Sequence, residues 1–206
     1  WTLPSNVALC VGPKIDYVAV ETYNPYNGAP MTAIMAESRV SAYLNADQEC
    51  KDGELLPFDK EKKQCPWRII EHMKGTELEG LRYEQLMPWV KPCEKIGDFA
   101  PDFVNEYAGK HPEKVFASNE GIDQFVEMHE AFRIILGDYV TTEDGTGIVH
   151  IAPTFGADDA KVAKDAKVPA LYLISKKGET RPMVDLQGKY YTLDELDKNF
   201  VERCVD

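Results

Sequence analysis

Gly145-Thr146-Gly147-Ile148-Val149-His150-Ile151-Ala152-Pro153-Thr154-Phe155-Gly156-Ala157-Asp158-Asp159 holds a turn, a short strand, a second turn and a helix start in succession. The β-branched residues Ile148, Val149 and Ile151 favour a pleated strand, and Pro153 closes it. Glycines at 145, 147 and 156 permit positive φ or a close backbone approach. Asp158 and Asp159 fall in the first turn of a helix running to about Ala166, where carboxylates meet free N–H groups and the positive end of the helix dipole. One aspartate can cap the helix, which leaves the other to face the strand end. Read alone, the stretch is a hairpin turn, a pair of helix caps and a structural histidine. A metal held by His150 and Asp159 lacks a third ligand nearby.

Outward from this stretch, strands dominate. Phe132 to Thr141 reads as a strand, with Glu143-Asp144-Gly145 as the turn after it, and Leu171 to Ser175 reads as another. Thr192 to Val205 has helical spacing, with Thr192 and Glu195 forming a capping box. Near the start, Val7–Val11, the alternating run from Tyr17 to Tyr23 and Met31 to Ala36 predict an antiparallel meander through the turn-rich 24–28. Ser38 is placed to cap a short helix to Leu44. Arg68 to Met73 is β-like, Gly75 marks a turn, and Leu78 to Leu86 again suits a strand. Residues 45–65 and 88–125 read as insertions, the second irregular with one short helix near 102–109. The expected fold is α/β, mostly β, with a β-barrel-like core and peripheral helices in a single domain over residues 1–206.

Composition bounds the function. The 206 residues are 44% apolar and 28% charged, which is a globular balance. The 23 basic against 35 acidic residues give a net charge of −12, which argues against a strong sequence-independent grip on nucleic-acid backbone by this chain alone. Lys161, Lys164 and Lys167 read as a solvated helix face. Five widely spaced cysteines without a C-x-x-C point to reduced thiols, not to a disulfide framework or a zinc site. No run of ~20 apolar residues spans a bilayer, so no membrane partner is expected. A chain that begins with Trp1 reads as a piece of something longer.

Three separated motifs agree. Trp1-Thr2-Leu3-Pro4-Ser5-Asn6, Gly75-Thr76-Glu77-Leu78-Glu79-Gly80-Leu81-Arg82-Tyr83 and the Gly145 to Asp159 stretch together resemble the editing (connective-peptide) domain of the isoleucyl-tRNA synthetase family. The resemblance covers essentially the whole chain. Trp1, Thr2, Pro4 and Asn6 match the isoleucyl pattern, whereas the related valyl and leucyl domains carry an acidic residue after the proline.

The resemblance implies a β-rich editing fold and a cytoplasmic hydrolase that removes valine mischarged onto isoleucine tRNA. Its partners would be the valine-carrying acceptor end of that tRNA and the remainder of the synthetase, with no metal or cofactor in this domain. It places Asp159 at the substrate's amino group, with Thr2 and Asn6 offering hydroxyl and amide groups to substrate or water. His150 would contact the substrate side chain or terminal ribose. Trp1 and Gly145-Thr146-Gly147 would bind substrate, the glycine-turn backbone packing near the terminal adenosine. Two alternatives stay open: a valyl-type domain acting on threonyl esters, and an inactive binding module, because the family's threonine-rich run before the tryptophan is absent.

Overall fold

Strands of two to eight residues, joined by turns and short helices, make up this fold. The computed structural model describes all residues except 1, 52, 63, 98, 99 and 122. In chain order its regular elements are β1 (Ala8–Val11), β2 (Asp16–Tyr23), β3 (Pro30–Ala36), α1 (Val40–Tyr43), β4 (Arg68–Lys74), α2 (Gly75–Leu78), β5 (Cys93–Ile96), α3 (Asp102–Lys110), β6 (Val115–Ala117), β7 (Gln124–Glu127), β8 (Arg133–Leu136), β9 (Ile148–Ile151), α4 (Ala157–Asp165), β10 (Leu173–Ile174), β11 (Thr180–Arg181) and α5 (Lys198–Cys204). The fold is mixed α/β and mostly strands. The strands fall into four sheets, ordered β8-β1-β9, β10-β11, β3-β2-β4 and β5-β7-β6. Among the described residues no sheet closes on itself, and the strands form small open sheets. No described helix is long and apolar enough to cross a membrane.

The chain divides into two compact units: residues 1–9, 80–134 and 150–206 in one, and residues 10–79 and 135–149 in the other. The second unit is built on β2. Tyr17, Val18, Ala19 and Val20 are all buried because β2 is central, paired antiparallel with β3 and β4. Val18, Val20, Met35, Val40 and Trp67 form its apolar cluster, and the Trp67 indole donates to Asn45 O at 2.8 Å. Gly75 must be glycine, since a Cβ there would sit 2.0 Å from Gly12 O. The expected turn at Gly75 is the first residue of α2. Ser38 makes no cap bond, and residues 37–43 instead run as a 3₁₀ turn into α1.

The first unit contains β5, β6 and the start of β7 within residues 88–125, where sequence reading finds only one helix. That helix, α3, packs Val104 against Val126 and Met128 beneath the sheet. The expected strand over 78–86 does not form. Gly80 takes φ +81°, and only an isolated bridge between Arg82 and Arg133 remains. The expected helix over 192–205 is split. Glu195 accepts from the N–H and hydroxyl of Thr192 in a 3₁₀ turn, and α5 starts afresh at Asp197. The fully buried Asp197 carboxylate accepts from Phe200 N–H at 3.0 Å and from Asn119 N–H at 2.7 Å. β1 leaves the expected meander: its partners are β8 and β9, while β2 and β3 pair as anticipated.

Candidate functional site

The first unit gathers four of the sequence-selected residues. Pro4 suits the first turn of a 3₁₀ helix, Leu3–Ser5, which is closed by Ser5 N–H to Thr2 O at 2.9 Å and Asn6 N–H to Leu3 O at 3.0 Å. Directly after it, Val7 N–H donates to Ile151 O at 2.9 Å, which registers this turn on the end of β9. Thr2 Oγ1 thereby lies 3.2 Å from His150 Nε2, across 148 residues of chain. A threonine hydroxyl both donates and accepts, so it serves either tautomer of the imidazole. His150 Nδ1, Thr154 Oγ1 and Ser5 Oγ are buried without a hydrogen-bond partner among the described residues.

Asp159 stands in the first turn of α4. Gly156, at the cap position, has no side chain to offer the helix, and Asp159 turns back so that its Oδ2 accepts from Ala152 N–H at 2.8 Å. The carboxylate is therefore fixed on backbone two residues beyond His150, as expected of the aspartate that faces the strand end. Asp158 points to solvent. Neither aspartate makes a conventional cap bond. A carboxylate oxygen offers about two acceptor positions, so Asp159 retains room for a cationic donor.

Asn6 is held by bonds within its own unit. It is 4% exposed, its Nδ2 donates to Ala8 O at 2.9 Å, and its Oδ1 accepts from the Tyr83 hydroxyl at 2.6 Å. One acceptor position of its amide oxygen is thus taken by Tyr83, and the side chain acts as a strut beneath the Thr2 turn. Burial pushes the Tyr83 phenol far up, so it stays a neutral donor. Tyr83 is held in turn by its own N–H to Phe132 O at 3.0 Å and by edge contact with the Phe132 ring. Sequence reading places Tyr83 in a motif without a role. Thr154 and Ser5 were equally unmarked, and only their burial singles them out.

The Gly145-Thr146-Gly147 turn belongs to the other unit. Its three carbonyls are all engaged: by Arg39 Nε at 2.9 Å, by Ala36 N–H at 2.8 Å and by the Tyr17 hydroxyl at 2.6 Å, respectively. Gly145 and Gly147 take φ +63° and +76°, and a Cβ on Gly147 would meet the Ala36 Cβ at 2.6 Å. The turn is pinned by its own unit. Trp1 lies outside the described residues. Among the described residues no three His, Cys, Asp or Glu side chains gather as a metal set.

Comparison with known proteins gives matches along nearly the whole of this chain. An isoleucine–tRNA ligase of Bacteroides thetaiotaomicron is 52% identical over all 206 residues, which span 16% of that protein. The corresponding ligase of Porphyromonas gingivalis is 47% identical over 208 aligned positions, covering 100% of this chain and 15% of the relative. That of Treponema denticola is 38% identical over 98% of this chain and 15% of its own length. The chain therefore spans about a sixth of the curated relatives it matches. No family model matches it. Among solved structures, "The crystal structure of GlLeuRS-CP1" is similar at a TM-score of 0.39 and 13% identity, covering 81% of this chain and 45% of that one.

Proposed function

Because the chain belongs over its whole length to a segment of the isoleucine–tRNA ligase family, we propose that it is the editing segment of such a ligase, hydrolysing valine mischarged onto isoleucine tRNA. The need follows from pocket physics. A missing methylene is worth only about 1–3 kcal/mol, and isoleucine against valine is the usual worked example of that limit and of a second hydrolytic sieve.

An aminoacyl ester is already activated, so no protein nucleophile is required. The site must hold the ester, orient a water and favour the developing oxyanion. Asp159, fixed by Ala152 N–H, receives the α-ammonium of the substrate. The Thr2 hydroxyl and the His150 ring, with Oγ1 and Nε2 3.2 Å apart, offer donors and acceptors to water or ribose. The His150 ring also limits the size of the side chain admitted. The acidic net charge suits a segment whose tRNA is held mainly by the rest of the ligase.

The observation that carries this reading is the pairing of Thr2 with His150 beside an anchored Asp159. Its test is Asp159→Ala and Asp159→Asn in the whole ligase. A bond to a charged group is worth about 1.5–3 kcal/mol, so valine release should fall about 10- to 150-fold while isoleucylation persists. Undiminished release by both variants would refute the assignment.

A further inference from the structure

A small cleft of about 50 Å³ lies in the first unit between β5, α3 and the end of α4. Phe103, Met128 and Val168 give it apolar walls, and Glu94, Lys164 and Lys167 are its charged groups. Glu94 stands in β5 and is mostly buried. Its Oε1 accepts from Ala170 N–H at 2.7 Å, and burial pushes the carboxyl up to about 7. Lys164 and Lys167 are exposed, so the cleft meets solvent on their side. The Lys167 ammonium stands 5.6 Å from the centre of the Phe103 ring. Nearby, Lys95 of β5 and Lys110 of α3 are ion-paired, with Asp123 and Glu106. Lys164 and Lys167 have no such partner among the described residues, and no ion pair joins either to Glu94. One cleft thus holds opposite charges that do not meet.

We infer that this cleft is a binding site for a small aliphatic α-amino acid, whose ammonium meets the Glu94 carboxylate and whose carboxylate meets Lys164 and Lys167.

The ligand's chemistry follows from the groups that the cleft leaves unmatched. Apolar walls with a few convergent polar groups are the usual make-up of a small-molecule site. A mostly buried carboxylate is stabilised by a cation bonded to it, and Ala170 N–H takes only one of the acceptor positions of Glu94. The two ammonium groups call for an anion. A ligand with a positive charge alone is repelled by the lysines, and one with a negative charge alone by Glu94. A zwitterion of short span satisfies both. Volume limits its side chain. A cavity of about 150 Å³ holds benzene, so one of about 50 Å³ takes about two or three heavy atoms. That admits the side chain of alanine or valine and leaves an aromatic one outside. Thr2, His150 and Asp159 do not line this cleft, so the binding stands apart from the proposed hydrolysis.

The test follows the Met128 methyl resonance of the whole chain, isotope-labelled at its methionine methyls, during titration with L-valine. The titration runs at about pH 8, where Glu94 is ionised. Isobutylamine and isovalerate are titrated alongside, each being valine without one of its charged groups. The expected result is a saturable shift with L-valine and binding weaker by about tenfold or more for either analogue, since each loses a charge-assisted bond. Glu94→Gln keeps an acceptor for Ala170 N–H but removes the charge, and should weaken L-valine by about tenfold or more as well. An analogue that binds as tightly as L-valine, or the absence of a saturable shift, would overturn the proposal. So would a shift lost in Asp159→Ala but unchanged in Glu94→Gln, which would move the ammonium to the ester site. Because the analogues are compared on unsubstituted protein, they decide the matter even where Glu94→Gln fails to fold.

Discussion

Removing one oxygen atom from Tyr83 tests how the site is held. In Tyr83→Phe the ring keeps its contact with Phe132, and only the O–H donor to Asn6 Oδ1, 2.6 Å away, is lost. Asn6 is 4% exposed, so its amide oxygen is left without a bond where water hardly reaches. An orphaned buried acceptor costs about 1–3 kcal/mol, against about 1 kcal/mol for a bond between exposed groups. Asn6→Ala should cost more, since it also deletes the bond to Ala8 O and leaves the Tyr83 hydroxyl without its acceptor. Urea unfolding of wild type, both single variants and the double variant closes a cycle. The two losses should fall short of additivity by about 1 kcal/mol or more, because the second substitution removes a partner already missing. The same strut holds the Thr2 turn, so Tyr83→Phe should also slow valine release in the whole ligase. A Tyr83→Phe protein within about 0.5 kcal/mol of wild type, or strictly additive losses, would refute the strut.

Burial raises the Glu94 carboxyl from its ordinary 4.5 to about 7, opposed by its bond from Ala170 N–H. The folded state therefore holds a proton that the unfolded state releases between pH 4.5 and 7, so stability should fall as pH rises through that window and stay level above it. The full cost is about 3 kcal/mol, and Glu94→Gln, which keeps the acceptor for Ala170, should restore most of it at pH 8 and little at pH 4. Thermal melts across that range check this, and a constant difference between variant and wild type would contradict it. Asp197→Ala uncaps α5 and orphans Asn119 N–H together, so urea unfolding should show a loss of about 2–4 kcal/mol, with Asp197→Asn milder.

The sequence carried the strands whose signal is local. β2, β3, β4 and β9 each hold runs of β-branched or alternating residues and lie where the pattern places them. β5, β6 and β7 are three or four residues long, too short for a period to register, and they become a sheet only through pairing across the loops that separate them. The run from Leu78 to Leu86 has strand-like residues, yet the positive φ of Gly80 ends the extended path. In the site, the position of Asp159 at a helix start was legible because it depends on a local turn. The Asn6–Tyr83 bond spans 77 residues and the Thr2–His150 contact 148, and nothing in either neighbourhood announces the other. The family resemblance picked out Thr2, Asn6, His150 and Asp159. Only the coordinates show Asn6 bonded to Tyr83.

Ester hydrolysis by the whole ligase, measured on isoleucine tRNA charged with valine and, separately, with isoleucine, tests the central claim most directly. The account predicts rapid release of valine, protection of isoleucine, and loss of valine release in Asp159→Ala. Valyl ester as durable with the enzyme as in buffer, or both esters cleaved alike, would contradict it.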